Sequence, residues 1–142
     1  MKSILIPTDF SPASTHAADY ILDFFKDTQT PIVITLLNAY LVPHVDGSQI
    51  ISANDNLKRQ INQKLLAEKE RLTNLGTNPN ITIKTEACLG AVENVIPRNA
   101  DKSPYGLIAM GKNGGSYIQR ISDILKSQNS KTPLLIVYCQ AS

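Results

Sequence analysis

Ser3-Ile4-Leu5-Ile6-Pro7-Thr8-Asp9-Phe10-Ser11-Pro12 changes character twice within a few residues. Ser3 to Ile6 is a short apolar run of the kind a buried strand needs. Ser11-Pro12 is a helix start, with serine as N-cap and proline at the first helical position, where its missing N–H is not needed. Ala18, Ile21, Leu22 and Phe25 then recur at helical spacing. A strand that turns directly into an amphipathic helix is the first half of a βαβ unit, and the rest of the chain can be read outward from it.

Four further apolar runs follow. Ile32 to Leu37 is rich in β-branched residues, Ile81 to Thr85 alternates apolar and polar, and Leu107 to Met110 and Leu134 to Tyr138 are nearly all apolar. Continuous apolar strands are expected to be covered on both faces, as in a parallel sheet. The alternating run Ile81, Thr82, Ile83, Lys84 is expected at an edge with one wetter face. Between them lie a second helix marked by Leu57, Ile61, Leu65 and Leu72 and ending near Gly76, and a short third one through Val92, Val95 and Ile96 after Gly90. Pro97 is expected to kink or end the third helix. A fourth carries Ile118, Ile121 and Leu125. Strand–helix alternation with helix-length crossovers predicts an α/β fold, an open five-stranded parallel sheet with helices on both faces. No linker or repeat divides the chain, so residues 1–142 read as one domain. Ala39 to Asn54, with Pro43 and Asp46-Gly47, reads as a mobile loop that either borders a ligand crevice or simply connects two elements.

Composition excludes several function classes. The chain has 142 residues, 42% hydrophobic and 18% charged, which is ordinary globular usage. Fourteen basic and 12 acidic residues give a net charge of +2, with no basic run, so nucleic acid is not an expected partner. No stretch approaches the roughly 20 apolar residues of a membrane span. The start Met1-Lys2-Ser3 shows no signal-peptide pattern, so the expected address is cytoplasmic. Cys88 and Cys139 form no CxxC motif and have apolar neighbours, which reads as small buried hydrophobes. His16, expected as a partly exposed helix residue, and His44, in the loop, have no metal spacing, so no metal site is expected. Glu68, Glu70 and Glu86 read as solvated-face residues.

In open parallel sheets, ligands bind outside the carboxyl ends of the strands, where the winding reverses. The segments there are Pro7-Thr8-Asp9, Asn38-Ala39-Tyr40 and Gly111-Lys112-Asn113-Gly114-Gly115-Ser116. Asp9 can accept hydrogen bonds from a ribose or an adenine amine, or can serve the turn by bonding nearby amides. The glycines between strand and helix suit either a flexible turn or close approach by a phosphate, with Lys112 adding charge and Ser116 a hydroxyl. Gly106 to Asn113 comes within one residue of a P-loop, but Asn113 replaces the magnesium-binding hydroxyl and Leu107 to Met110 is a strand, so the match is rejected. No G-x-S-x-G elbow is present.

Three segments in register resemble the universal stress protein family: Ile4 to Ser11, Leu107 to Gly114 and Thr132-Pro133-Leu134-Leu135-Ile136-Val137. The resemblance implies strand order 3-2-1-4-5, a three-layer sandwich like that of the adenine-nucleotide alpha-hydrolases, and a homodimer paired through Leu134, Leu135, Ile136, Val137 and Tyr138. It also implies a nucleotide site at Pro7, Thr8, Asp9, Asn38, Gly111, Lys112, Gly114, Gly115 and Ser116. The ATP-binding branch carries G-x-x-G-x(9)-G-[ST]. Gly111 and Gly114 match its first pair, while Ile124 and Leu125 stand where the second glycine and hydroxyl would be. Gly106 also stands where an aspartate often precedes the fourth strand, and the segment from Gly114 to Pro133 looks about one helical turn short (~3.6 residues). Losing several hydrogen bonds to phosphate, at about 1.5–3 kcal/mol each, is expected to weaken ATP binding a hundredfold or more. Lys112, Ser116, Arg120 or Ser122 are the residues that could compensate. The expected function is a non-catalytic, dimeric stress-response module with weak or no ATP binding. The alternative is an adenylate sensor, for ATP or AMP, using Asp9 and the retained GxxG. A slow ATPase has no base or metal set beyond Asp9.

Overall fold

The computed structural model describes residues 2–42, 50–102, 105–112, 117–128 and 132–138. In chain order the elements are β1 (Lys2–Pro7), α1 (Pro12–Phe24), β2 (Ile32–Tyr40), α2 (Ile50–Leu75), β3 (Ile81–Leu89), α3 (Val92–Lys102), β4 (Leu107–Lys112), α4 (Tyr117–Ser127) and β5 (Leu134–Tyr138). The five strands form one parallel sheet in the order β3-β2-β1-β4-β5. Alternation along the strands splits the core in two. Ile4, Ile6, Ile34, Leu36 and Ala109 face α1 and α2, where they meet Ile21, Leu22, Leu65 and Leu72. Leu5, Leu37, Ile108 and Met110 face α3 and α4, where they meet Val95, Ile96, Ile121 and Leu125. The result is the expected α/β/α sandwich, with the winding reversed between β1 and β4.

The Ser11-Pro12 start signal holds. Ser11 caps α1, accepting the Ser14 N–H at 3.3 Å, and Pro12 opens the helix. Strand β3 lies at an edge as expected, with Thr82, Lys84 and Glu86 exposed.

Several expectations need correction. The stretch Ala39 to Asn54 is not one loop. Ala39 and Tyr40 continue β2, paired with Cys88 and Leu89 of an equally extended β3, and α2 already begins at Ile50. The Tyr40 hydroxyl and Asn54 Oδ1, 3.2 Å apart, tie the strand end to the helix start. Pro43, His44, Asp46 and Gly47 lie outside the described residues, as does Cys139. Pro97 does not end α3, which runs on to Lys102. Proline removes one intrahelical bond, but Pro97 itself is buried, and Val95, Ile96 and Ala100 press the same helix onto the sheet. Strand β5 is covered on both faces only in part: Leu135 packs on the α1 and α2 side and Leu134 and Ile136 on the α3 and α4 side, but all three are half-buried and Tyr138 is exposed, because β5 is the other edge. Cys88 is half-buried rather than buried, its thiol 3.4 Å from Glu86 Oε1. Burial, and then the Glu86 charge, push that thiol up, away from thiolate reactivity. Glu68 is not on a solvated face. It pairs with Arg71 at 2.6 Å, and Arg71 also holds Asp19 of α1 at 2.8 Å, clamping α1 to α2. Glu70 and Glu86 are exposed, as is His16. No described helix is long and apolar enough to cross a membrane.

Candidate functional site

The carboxyl ends of β1, β2 and β4 open into a cleft of about 310 Å³. Pro7, Thr8 and Asp9 come from the end of β1, and Leu37, Asn38 and Ala39 from β2. Met110 and Gly111 come from β4, and Gly90 to Glu93 form the far wall at the start of α3. Of the residues expected at a site, Pro7, Thr8, Asp9, Asn38 and Gly111 are therefore brought together. Lys112 stands beside the cleft and does not line it. Gly114, Gly115 and Ser116 lie outside the described residues.

Local chemistry explains each position. Thr8 continues the β1 ladder, donating its N–H to Leu37 O at 2.8 Å. Asn38 is buried and its Nδ2 donates to Thr8 O at 2.7 Å, stapling the two strand ends beneath the cleft. Asp9 Oδ1 accepts from the Ser11 N–H at 3.0 Å and from the Ser14 hydroxyl at 2.8 Å, so the carboxylate serves the turn while lining the cleft. Burial pushes the Asp9 carboxyl up, but the hydrogen bonds from Ser11 and Ser14 outweigh it and hold the group below the usual range. Between them, Phe10 adopts φ 65°, a left-handed conformation rare for an aromatic residue, with its N–H bonded to Thr8 Oγ1 at 3.1 Å. Its side chain packs against the core shared by α1 and α2.

Gly111 has a packing reason to be glycine. A Cβ there would stand 2.0 Å from Ala13 O, so α1 crosses β4 in contact with its backbone. Gly90, at φ 137°, turns the chain from β3 into α3 and donates its N–H to Tyr40 O at 2.8 Å. This second wall was not foreseen from sequence. The signal was present as a glycine between a strand and a helix, the same pattern that drew attention to Gly111.

Among the described residues, the charged side chains lining the cleft are Asp9 and Glu93, both acidic. The Lys112 ammonium lies over the Tyr138 ring, 5.7 Å from its centroid. Arg120 reaches Glu93 at 3.5 Å. Ile124 and Leu125 lie inside α4, with Leu125 buried against α3 and the sheet, so no turn forms there. Only residues 113–116 separate β4 from α4. No group of three or more potential metal ligands occurs among the described residues.

Residues 1–137 match the universal stress protein family. A universal stress protein of Methanocaldococcus jannaschii is 26% identical over 147 aligned positions, covering 96% of this chain and 81% of the relative. The solved structure of UspA from Lactobacillus plantarum superposes with a TM-score of 0.74 at 19% identity, over 96% of this chain and 97% of its own. A universal stress protein family protein of Arabidopsis thaliana, solved with AMP bound, gives a TM-score of 0.65 at 13% identity, over 99% and 94%. Similar folds have been solved with cAMP, at a TM-score of 0.63, and with dAMP in an Archaeoglobus fulgidus protein, at 0.59. With the family match running from the first strand to the last, and the fold shared with solved universal stress proteins, this chain belongs to the universal stress protein family.

Proposed function

We propose that this chain is a non-catalytic stress-response module whose cleft takes the nucleoside part of an adenine nucleotide and holds a triphosphate weakly or not at all. The observation that carries this reading is the cleft's lining: apolar walls with Thr8, Asp9 and Asn38 among them, and no cation among its described residues. A base and ribose suit such walls, since a few polar groups on an apolar surface fix orientation. A triphosphate does not, because Asp9 and Glu93 repel it and the helix turns at Ile124-Leu125 leave no second glycine–hydroxyl turn there. The AMP, cAMP and dAMP bound by similar folds support ligands with a single phosphate. Hydrolysis is not expected, since Asp9 is committed to the α1 turn and no metal set accompanies it among the described residues.

Calorimetric titration with adenosine, AMP and magnesium ATP tests the reading. Adenosine and AMP should bind at least as tightly as ATP, with no phosphate released. Micromolar ATP affinity exceeding that for AMP by tenfold would overturn it. The same module is proposed to act as a homodimer paired through β5.

A further inference from the structure

Met110 and Lys112 are two residues apart on β4, so their side chains leave the same face of the sheet. Met110 lines the cleft. Lys112 stands roughly 6–7 Å further along the strand, a distance its own stem can span back toward the cleft. Its ammonium instead sits over the ring of Tyr138. The two are register partners of β4 and β5, so the sheet itself holds the ring beside the lysine. Tyr138 is 65% exposed and ends the edge strand, so this contact is open to water and easily broken. Arg120, a second cation near the rim, is turned to Glu93. These two positive charges thus stand beside the cleft, engaged elsewhere.

We infer that Tyr138 sets the ligand charge that the cleft accepts: its ring draws the Lys112 ammonium outward and so discriminates against polyphosphate nucleotides. This rests on the proposed adenylate reading and goes beyond it by placing a specificity-determining residue outside the cleft, at the end of edge strand β5. Any contact that covers or moves Tyr138 then changes the charge the cleft presents.

The test is calorimetric titration with adenosine and with ATP at low salt, using Tyr138→Leu, Tyr138→Phe and a double variant carrying Tyr138→Leu with Lys112→Gln. Tyr138→Leu should raise the ratio of ATP to adenosine affinity by about three- to fivefold, the size of an exposed cation–π contact. Tyr138→Phe keeps the ring and should keep the wild-type ratio. The double variant should lose the gain. Adenosine affinity should stay level throughout, so a fold-wide disturbance would be visible. Adenosine binding with a ratio unmoved by Tyr138→Leu, or raised equally without Lys112, overturns this inference alone. Absence of adenosine binding in every protein overturns the proposed function and this inference with it.

Discussion

Asp9 stands at the point where the cleft and the start of α1 share one side chain. Its Oδ1 takes the Ser11 N–H and the Ser14 hydroxyl, and the same carboxylate lines the cleft. The sequence left two readings for this residue, ligand acceptor or turn former, and the geometry supplies the second without removing the first. The charge has a pH signature. The Asp9 carboxyl is pushed up by burial but held lower overall by the bonds from Ser11 and Ser14. A carboxyl depressed in the folded state contributes stability that is present above its unfolded value, about 3.9, and is lost as pH falls through the folded value. Asp9→Asn keeps an acceptor oxygen and removes the charge. The variant should be less stable than wild type in urea denaturation near pH 7, and the gap should narrow as pH falls below the unfolded value of about 3.9. A gap that is constant from neutral to acid would show that the charge contributes nothing.

The packing of α1 on β4 depends on a single missing side chain. Helix α1 crosses the strand with Ala13 O close to Gly111, and even a methyl group there meets backbone rather than a side chain that can turn aside. Gly111→Ala should therefore lift α1 from the sheet and cost about 3 kcal/mol, the upper end of overpacking penalties. Thermal denaturation measures this, and a loss under 1 kcal/mol would mean that α1 shifts freely. Strands, helices and sheet edges were legible because periodicity and burial follow each other directly: Ser11-Pro12 opens α1, and the alternation from Ile81 marks an edge. Gly111 was legible as special, but its reason was not, because close approach between elements distant in sequence leaves only a glycine behind. The same holds for Gly90 and the α3 wall of the cleft, whose contribution is largely backbone. Pro97 reads as a helix stop because propensity is local, whereas the burial of Val95, Ile96 and Ala100 that carries α3 past it is tertiary.

The two edges of the sheet differ in a way that decides how whole molecules can meet. On β3, Thr82, Lys84 and Glu86 are exposed, and polar and charged residues blunt an edge against pairing. On β5, Leu134 to Tyr138 carries no charge, and its first three residues are only half-buried. Pairing of two chains is therefore expected at β5. The ladder makes this testable residue by residue. The Ile108 N–H donates to Pro133 O at 3.0 Å, which in a parallel pair directs the Leu135 and Val137 amides toward β4 and leaves those of Leu134 and Ile136 pointing outward. In a homodimer joined edge to edge, amide hydrogen exchange at Leu134 and Ile136 should slow as protein concentration rises, because their acceptors come from the second chain. Exchange at Leu135 and Val137 should be slow at every concentration, because their acceptors are internal. Rates at Leu134 and Ile136 that do not depend on concentration, in a protein that light scattering shows to be dimeric, would move the interface away from this edge. They would also leave Tyr138 uncovered in the dimer, so that its hold on Lys112 would be the same in one chain as in two.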